Sequence, residues 1–212
     1  MGGRGASPMP VEREFKAILK DPKRLLAEYL AASYPHAIID QIYTRGGARM
    51  RRVRDVVGDI VSAPRHVFTY KEDLGDAEGV LEMEMIASAH DFELARRIAS
   101  RTLTKLRFKE FTPRGAWEID FLLWKGDAYE PQPIPPEIYF ALAEYEAPEG
   151  ETFELTEKMR AEIDFIVPLS RNGMFSNFKL TGPAYAATVV QRYLSFMETA
   201  EATAEAASLA AE

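Results

Sequence analysis

The chain has 212 residues, 47% of them hydrophobic, a formal net charge of −7 and no cysteine. That length supports one sizeable core and leaves little room for two full domains. The acidic balance argues against a nucleic-acid-binding face, because phosphate backbones are held by an excess of Lys and Arg. Without cysteine there is neither a disulfide framework nor a thiolate metal site.

Residues 1–9, rich in Gly with a Ser-Pro pair, read as a disordered lead-in, and 10–209 as a single domain including a C-terminal helix. No apolar run approaches the length of a membrane span and the start lacks the apolar core of a signal peptide, so a cytoplasmic protein with no membrane partner is expected. Val11 to Ala17 alternates as a strand does, with Glu12, Glu14 and Lys16 on one face and Val11, Phe15 and Ala17 on the other. Asp21-Pro22 starts a helix, by an N-cap followed by proline, that runs to about Ser33 on Leu25, Leu26, Tyr29 and Leu30. Ala37 to Thr44 reads as a strand, turning through Arg45-Gly46-Gly47 into Arg52-Val53-Arg54.

A further strand carries Lys71 and ends in the turn-rich Asp73 to Asp76. Leu81-Glu82-Met83-Glu84-Met85 leads to Asp91, read as the N-cap of a helix over Phe92 to Ser100. Arg101 to Phe111, with Lys105 and Arg107, and Ala116 to Trp124, with Glu118 and Asp120, form a hairpin. Ile138 to Ala147, with Glu144 and Glu146, is the eighth strand, reached through the stiff proline-rich loop 131–136. Glu154 to Arg160 is a short helix, Phe165 to Pro168 an extended piece, Phe175 to Leu180 strand-like with Lys179, and Pro183 to Leu209 a long helix.

Eight antiparallel strands are the number at which a sheet closes around side chains or one small ligand. The expected fold is therefore α+β: an eight-stranded closed antiparallel barrel with its charged rows inside and helices packed on its apolar exterior. Paired carboxylates in one lumen repel by about 3 kcal/mol at 5 Å and an effective dielectric near 20. Neighbouring Lys and Arg offset part of this. Divalent cations would offset the rest, and an all-oxygen donor set favours Mg²⁺, or Mn²⁺, over zinc.

Glu12-x-Glu14-x-Lys16 near the amino terminus resembles the ExExK signature of the CYTH superfamily, the triphosphate tunnel metalloenzymes. From Val11 to Gly182 the order that follows is similar to theirs: Arg52-x-Arg54, a lone strand lysine Lys71, Glu82-x-Glu84, Lys105-x-Arg107, the Trp117-led acidic strand, and Glu144-x-Glu146. Many relatives carry an arginine two residues before the first glutamate of the Glu-x-Glu strand, where this chain has Val80.

The resemblance implies metal-dependent hydrolysis of a triphosphate, inorganic or a small organic one such as thiamine triphosphate. Class IV adenylate cyclase and a non-catalytic polyphosphate or nucleotide binder are the alternatives. It implies catalytic roles for Glu12, Glu14 and Lys16, and phosphate binding by Lys16, Arg52, Arg54, Lys71, Lys105, Arg107 and Lys179. The metal set is Glu12, Glu14, Glu82, Glu84, Glu118, Asp120, Glu144 and Glu146, with the choice between Glu118 and Asp120 open. The expected partner is a small-molecule triphosphate and no nucleic acid; oligomeric state is not fixed by these residues, a homodimer being one option.

Overall fold

Alternation along the strands sorts their residues into two rows, and these rows become the two faces of one antiparallel sheet. The structure, a computed structural model, describes residues 12–45, 48–73, 80–124, 136–148 and 151–209, with side chains except at 12, 71–73, 80–82, 148 and 198–209. The strands are β1 (Glu12–Leu19), β2 (His36–Tyr43), β3 (Arg49–Val57), β4 (Ile60–Val61), β5 (Arg65–Asp73), β6 (Val80–Ala87), β7 (Arg101–Thr112), β8 (Gly115–Leu123), β9 (Ile138–Pro148) and β10 (Ile163–Val167). The helices are α1 (Pro22–Ala31), α2 (Ala89–Arg97), α3 (Glu157–Glu162), α4 (Asn177–Leu180) and α5 (Pro183–Leu209), with a 3₁₀ helix at Leu169–Phe175. The lead-in 1–9, most of the proline loop and the turn after Asp73 lie outside the described residues.

The ten-stranded sheet runs β10-β1-β9-β8-β7-β2-β3-β5-β6, with β4 on β3. It curls, because Glu14 of β1 and Glu84 of β6 line the same cavity although many strands separate them in the sheet. Closure does not follow: among the described residues no ladder joins β6 to β10. The expected closed barrel is thus an open, curled sheet. A ring is the general way to shield an inward charged row, but here much of the shielding comes from ion pairs between adjacent strands, described below.

The convex face carries the main core. Phe15, Ala17, Leu106, Phe108, Trp117, Ile119, Phe121 and Tyr145 pack there with Leu25, Leu26 and Tyr29 of α1 and Met159 of α3. Phe92 and Ala95 of α2 cover Ile42 and Met50 on the same side. α1 begins as its sequence dictates, the Asp21 carboxylate accepting from the Arg24 amide at 3.1 Å behind a proline in the first turn. α2 starts three residues earlier than expected: Ser88 is its N-cap, and Asp91 completes a capping box from inside the helix.

The long C-terminal helix departs from expectation. Ala186, Val189 and Tyr193 of α5, with Phe175 and Leu180, pack on Ile18, Leu103, Leu122, Phe140 and Leu142. These strand residues alternate in phase with Glu14, Lys105, Asp120 and Glu144, so α5 covers the concave face and not the convex one. Phe175 to Leu180, expected strand-like, is the end of the 3₁₀ helix and α4, which together give this floor two fully buried apolar side chains. Among the described residues no helix is long and apolar enough to cross a membrane.

Candidate functional site

Beyond the floor, the concave row turns charged on every strand of the larger wall. Lys16 on β1 is only 3% exposed and lies between Glu14, 3.0 Å from its Nζ, and Glu144, its partner across the β1–β9 ladder, to which it donates a short hydrogen bond. Glu144 in turn stands opposite Glu118 on β8, and Asp120 opposite Arg107 on β7. Arg107 grips Asp120 with both arms of its fork, Nε to Oδ1 and Nη2 to Oδ2 at 2.7 Å each, while Nη1 donates to Glu118. Lys105, 2% exposed, donates its Nζ to the same Asp120 carboxylate. A planar guanidinium matched to a carboxylate is the strong form of such a contact.

The opposite wall is thinner and more open. Arg51 on β3 donates to Thr69, at 3.2 Å, and to Glu84 of β6, while the Thr69 hydroxyl donates to the same Glu84 oxygen at 3.1 Å. Arg49 and Gln41 complete that side, and Asn177 of α4 rises from the floor. The enclosed space is about 340 Å³.

Charge states follow from this crowding. Burial acts to raise the pKa of Asp120, but Arg107 and Lys105 overcome it and hold the carboxyl down at about 2. Glu144 is likewise lowered: burial opposes, and Lys16 with the other cations prevails. The two buried lysines diverge. Burial would lower Lys16, yet Glu144 and Glu14 push it above its ordinary value. Lys105 falls below, because burial and the adjacent Arg107 outweigh an Asp120 whose charge Arg107 already shares. The shifts of Asp120, Glu144 and Lys16 all favour their charged forms, and that of Lys105 opposes it.

Of the residues singled out in the sequence, Glu14, Lys16, Glu84, Lys105, Arg107, Glu118, Asp120, Glu144 and Glu146 face the concave side. Glu12, Lys71 and Glu82 occupy strand positions, Lys71 paired with Glu82, but their side chains lie outside the described ones. Three expectations are corrected. Arg52 and Arg54 lie on the convex face: Arg52 contacts Asp40 at 2.8 and 2.9 Å and sits over the Phe92 ring, and Arg54 is 4.0 Å from the same carboxylate. Lys179 is exposed on α4 and is not among the residues lining the cavity.

The run Arg49-Met50-Arg51-Arg52-Val53-Arg54 offers two arginine rows one residue apart, and a one-residue change of row reverses every side chain. Met50 and Val56, in phase with Arg52 and Arg54, are drawn into the convex core, which turns Arg49, Arg51 and Val53 inward. A signal was available in Ile38-x-Asp40-x-Ile42. A lone carboxylate in an apolar row needs a cation beside it, and Thr104 and Arg52 answer it. Asn177 had no signal, since only the packing of α4 places it.

The donor set suits a hard divalent cation in its chemistry, being carboxylate oxygen throughout. Glu14 and Glu146 are direct partners across the β1–β9 ladder, an opposition of like charges that costs stability and that a cation would relieve. Yet among the described residues no group of three or more Asp, Glu, His or Cys side chains is gathered as a metal cage. A cation here would draw on two carboxylates and fill its shell with water or ligand oxygens.

Comparison with known protein families finds no match, nor does comparison with curated proteins. Solved structures with some likeness include a conserved hypothetical protein from Pyrococcus furiosus, 15% identical with a TM-score of 0.37 over 71% of this chain and 84% of that one. A candidate adenylate cyclase from Bacillus halodurans is 14% identical with a TM-score of 0.40, over 65% and 80% of the two chains. A Pyrococcus horikoshii protein is 13% identical with a TM-score of 0.36, over 72% and 82%. Likenesses at this level do not define a family, and what the chain does rests on its own residues.

Proposed function

We propose that the charged belt binds a triphosphate together with Mg²⁺ or Mn²⁺, and that the protein hydrolyses the terminal phosphate. The observation that supports this reading is the internal balance of the cavity: Lys16, Arg49, Arg51, Lys105 and Arg107 face Glu14, Glu84, Glu118, Asp120, Glu144 and Glu146 within one small space. A site neutralised from within has little affinity for a bare anion or a bare cation. It suits a ligand that carries both signs.

On entry, phosphate oxygens would take over from Glu118 on Arg107 and from Glu84 on Arg51, exchanging one charge-assisted hydrogen bond for another. Glu14 and Glu146, opposed at the mouth, would hold the cation, with phosphate oxygens and water filling the rest of its shell. Such a cation supplies charge neutralisation of the phosphates. The buried Lys16 and Lys105 anchor the polyanion's inner end, and the apolar floor under them excludes water from the far side. The half-exposed Glu14, 3.0 Å from Lys16 Nζ, is placed to orient a water molecule against a phosphate held there.

Titration calorimetry and phosphate release with inorganic tripolyphosphate, with and without Mg²⁺, test this. Binding that needs Mg²⁺, with release abolished in Glu14→Ala at unchanged folding, is the expected result. Absence of binding under both conditions overturns the reading. Cyclic AMP formed from ATP in place of free phosphate assigns the chemistry to cyclisation, and binding without turnover removes the hydrolytic step alone.

A further inference from the structure

A second, larger cavity of about 580 Å³ opens at the end of the concave face away from α5. It adjoins the charged belt and shares Arg51, Arg107 and Glu118 with it. Its remaining wall sets Pro35, Ile39, Val53, Val57 and Phe111 beside the charged Asp55, Arg65, Lys109 and Glu110. Phe111 on β7 and Val57 on β3 are 74% and 59% exposed. A single exposed apolar side chain needs no explanation, but several around one concavity of ligand size mark a binding surface.

We propose that the ligand is an organic phosphate anhydride whose apolar body occupies this annex while its phosphates reach Arg51 and Arg107. The inference rests on the phosphate-binding reading above and narrows it, excluding inorganic triphosphate as the ligand the site fits best. The orientation follows from Arg51 and Arg107, which line both cavities and so set the phosphates at the junction with the charged belt. The charged side chains of the wall already have partners, Arg65 with Asp55, Lys109 with Glu118 and Glu110 with Lys158, which leaves the apolar members to meet the body, a hydrocarbon.

The test compares ligands matched in phosphate count, by calorimetry in the presence of Mg²⁺: inorganic diphosphate against geranyl diphosphate, and inorganic tripolyphosphate against ATP. Geranyl diphosphate is expected to bind at least about tenfold tighter than diphosphate, the worth of about two buried methylene groups. In a Val57→Asp/Phe111→Ser variant, whose substitutions fall on exposed rim positions that folding tolerates, that advantage should shrink to less than about threefold. Equal affinities in the wild type overturn the inference while tripolyphosphate binding upholds the phosphate reading. An advantage that survives the double substitution places the body elsewhere and overturns it too. A gain for ATP over tripolyphosphate with none for geranyl diphosphate overturns the apolar assignment. No binding of any of the four overturns both readings.

Discussion

The two halves of the concave face share strands, period and depth, and differ in everything else. On β1 the inward row passes from Glu14 and Lys16 to Ile18; on β9 from Glu146 and Glu144 to Leu142 and Phe140. On β8 it passes from Glu118 and Asp120 to Leu122, and on β7 from Arg107 and Lys105 to Leu103. The apolar half is closed by α5 and stabilises the fold by burial. The charged half is lined by groups whose desolvation opposes folding and whose pairing only offsets that opposition. A chain that wanted stability alone would have continued the leucines, so the boundary between halves marks where stability is traded for a site.

Three experiments strain this contrast. The largest effect is expected from Asp120→Ala, which leaves Lys105 and Arg107 buried without their shared carboxylate; a loss of about 3–5 kcal/mol should appear in urea unfolding. Asp120→Ala combined with Lys105→Met should recover part of it, and no recovery would mean that the ion pairs are not the source of the cost. In the other half, Leu142→Ala removes a fully buried side chain and should cost about 2–5 kcal/mol without altering the pH dependence of stability. A change in that dependence would show the floor and the belt to be coupled.

The smallest effect lies in the acid limb. Asp120 is held at about 2 in the folded protein and lies near 3.8 without its partners. The unfolded chain therefore binds the proton more readily, so this stabilisation is complete above about pH 4 and is lost as the pH falls through about 2. Glu144, also lowered, acts with the same sign. Unfolding followed between these pH values should show stability rising with pH, and Asp120→Asn should flatten the slope. An unchanged slope would assign the acid limb to other carboxylates.

Much of the site was legible in the alternation itself. Glu14, Lys16, Lys105, Arg107, Glu118, Asp120, Glu144 and Glu146 share one face because strand geometry permits nothing else once Phe15, Leu106, Trp117, Ile119 and Tyr145 are committed to the core. Arg52 and Arg54 were misplaced where alternation fails as a guide, in a run that is basic in both rows. There the outcome turned on whether Met50 and Val56 or Val53 would reach the larger apolar cluster.

Local chemistry thus determined the strands, the rows within them and the starts of the first helices, since caps and period act over a few residues and need no partner. The tertiary structure alone decided that β3 turns Arg49 and Arg51 inward, that α5 covers the floor of the concave face, and that among the described residues no ladder joins β6 to β10. Each of these depends on competition between distant apolar surfaces for the same partners, and a linear pattern carries the competitors without ranking them.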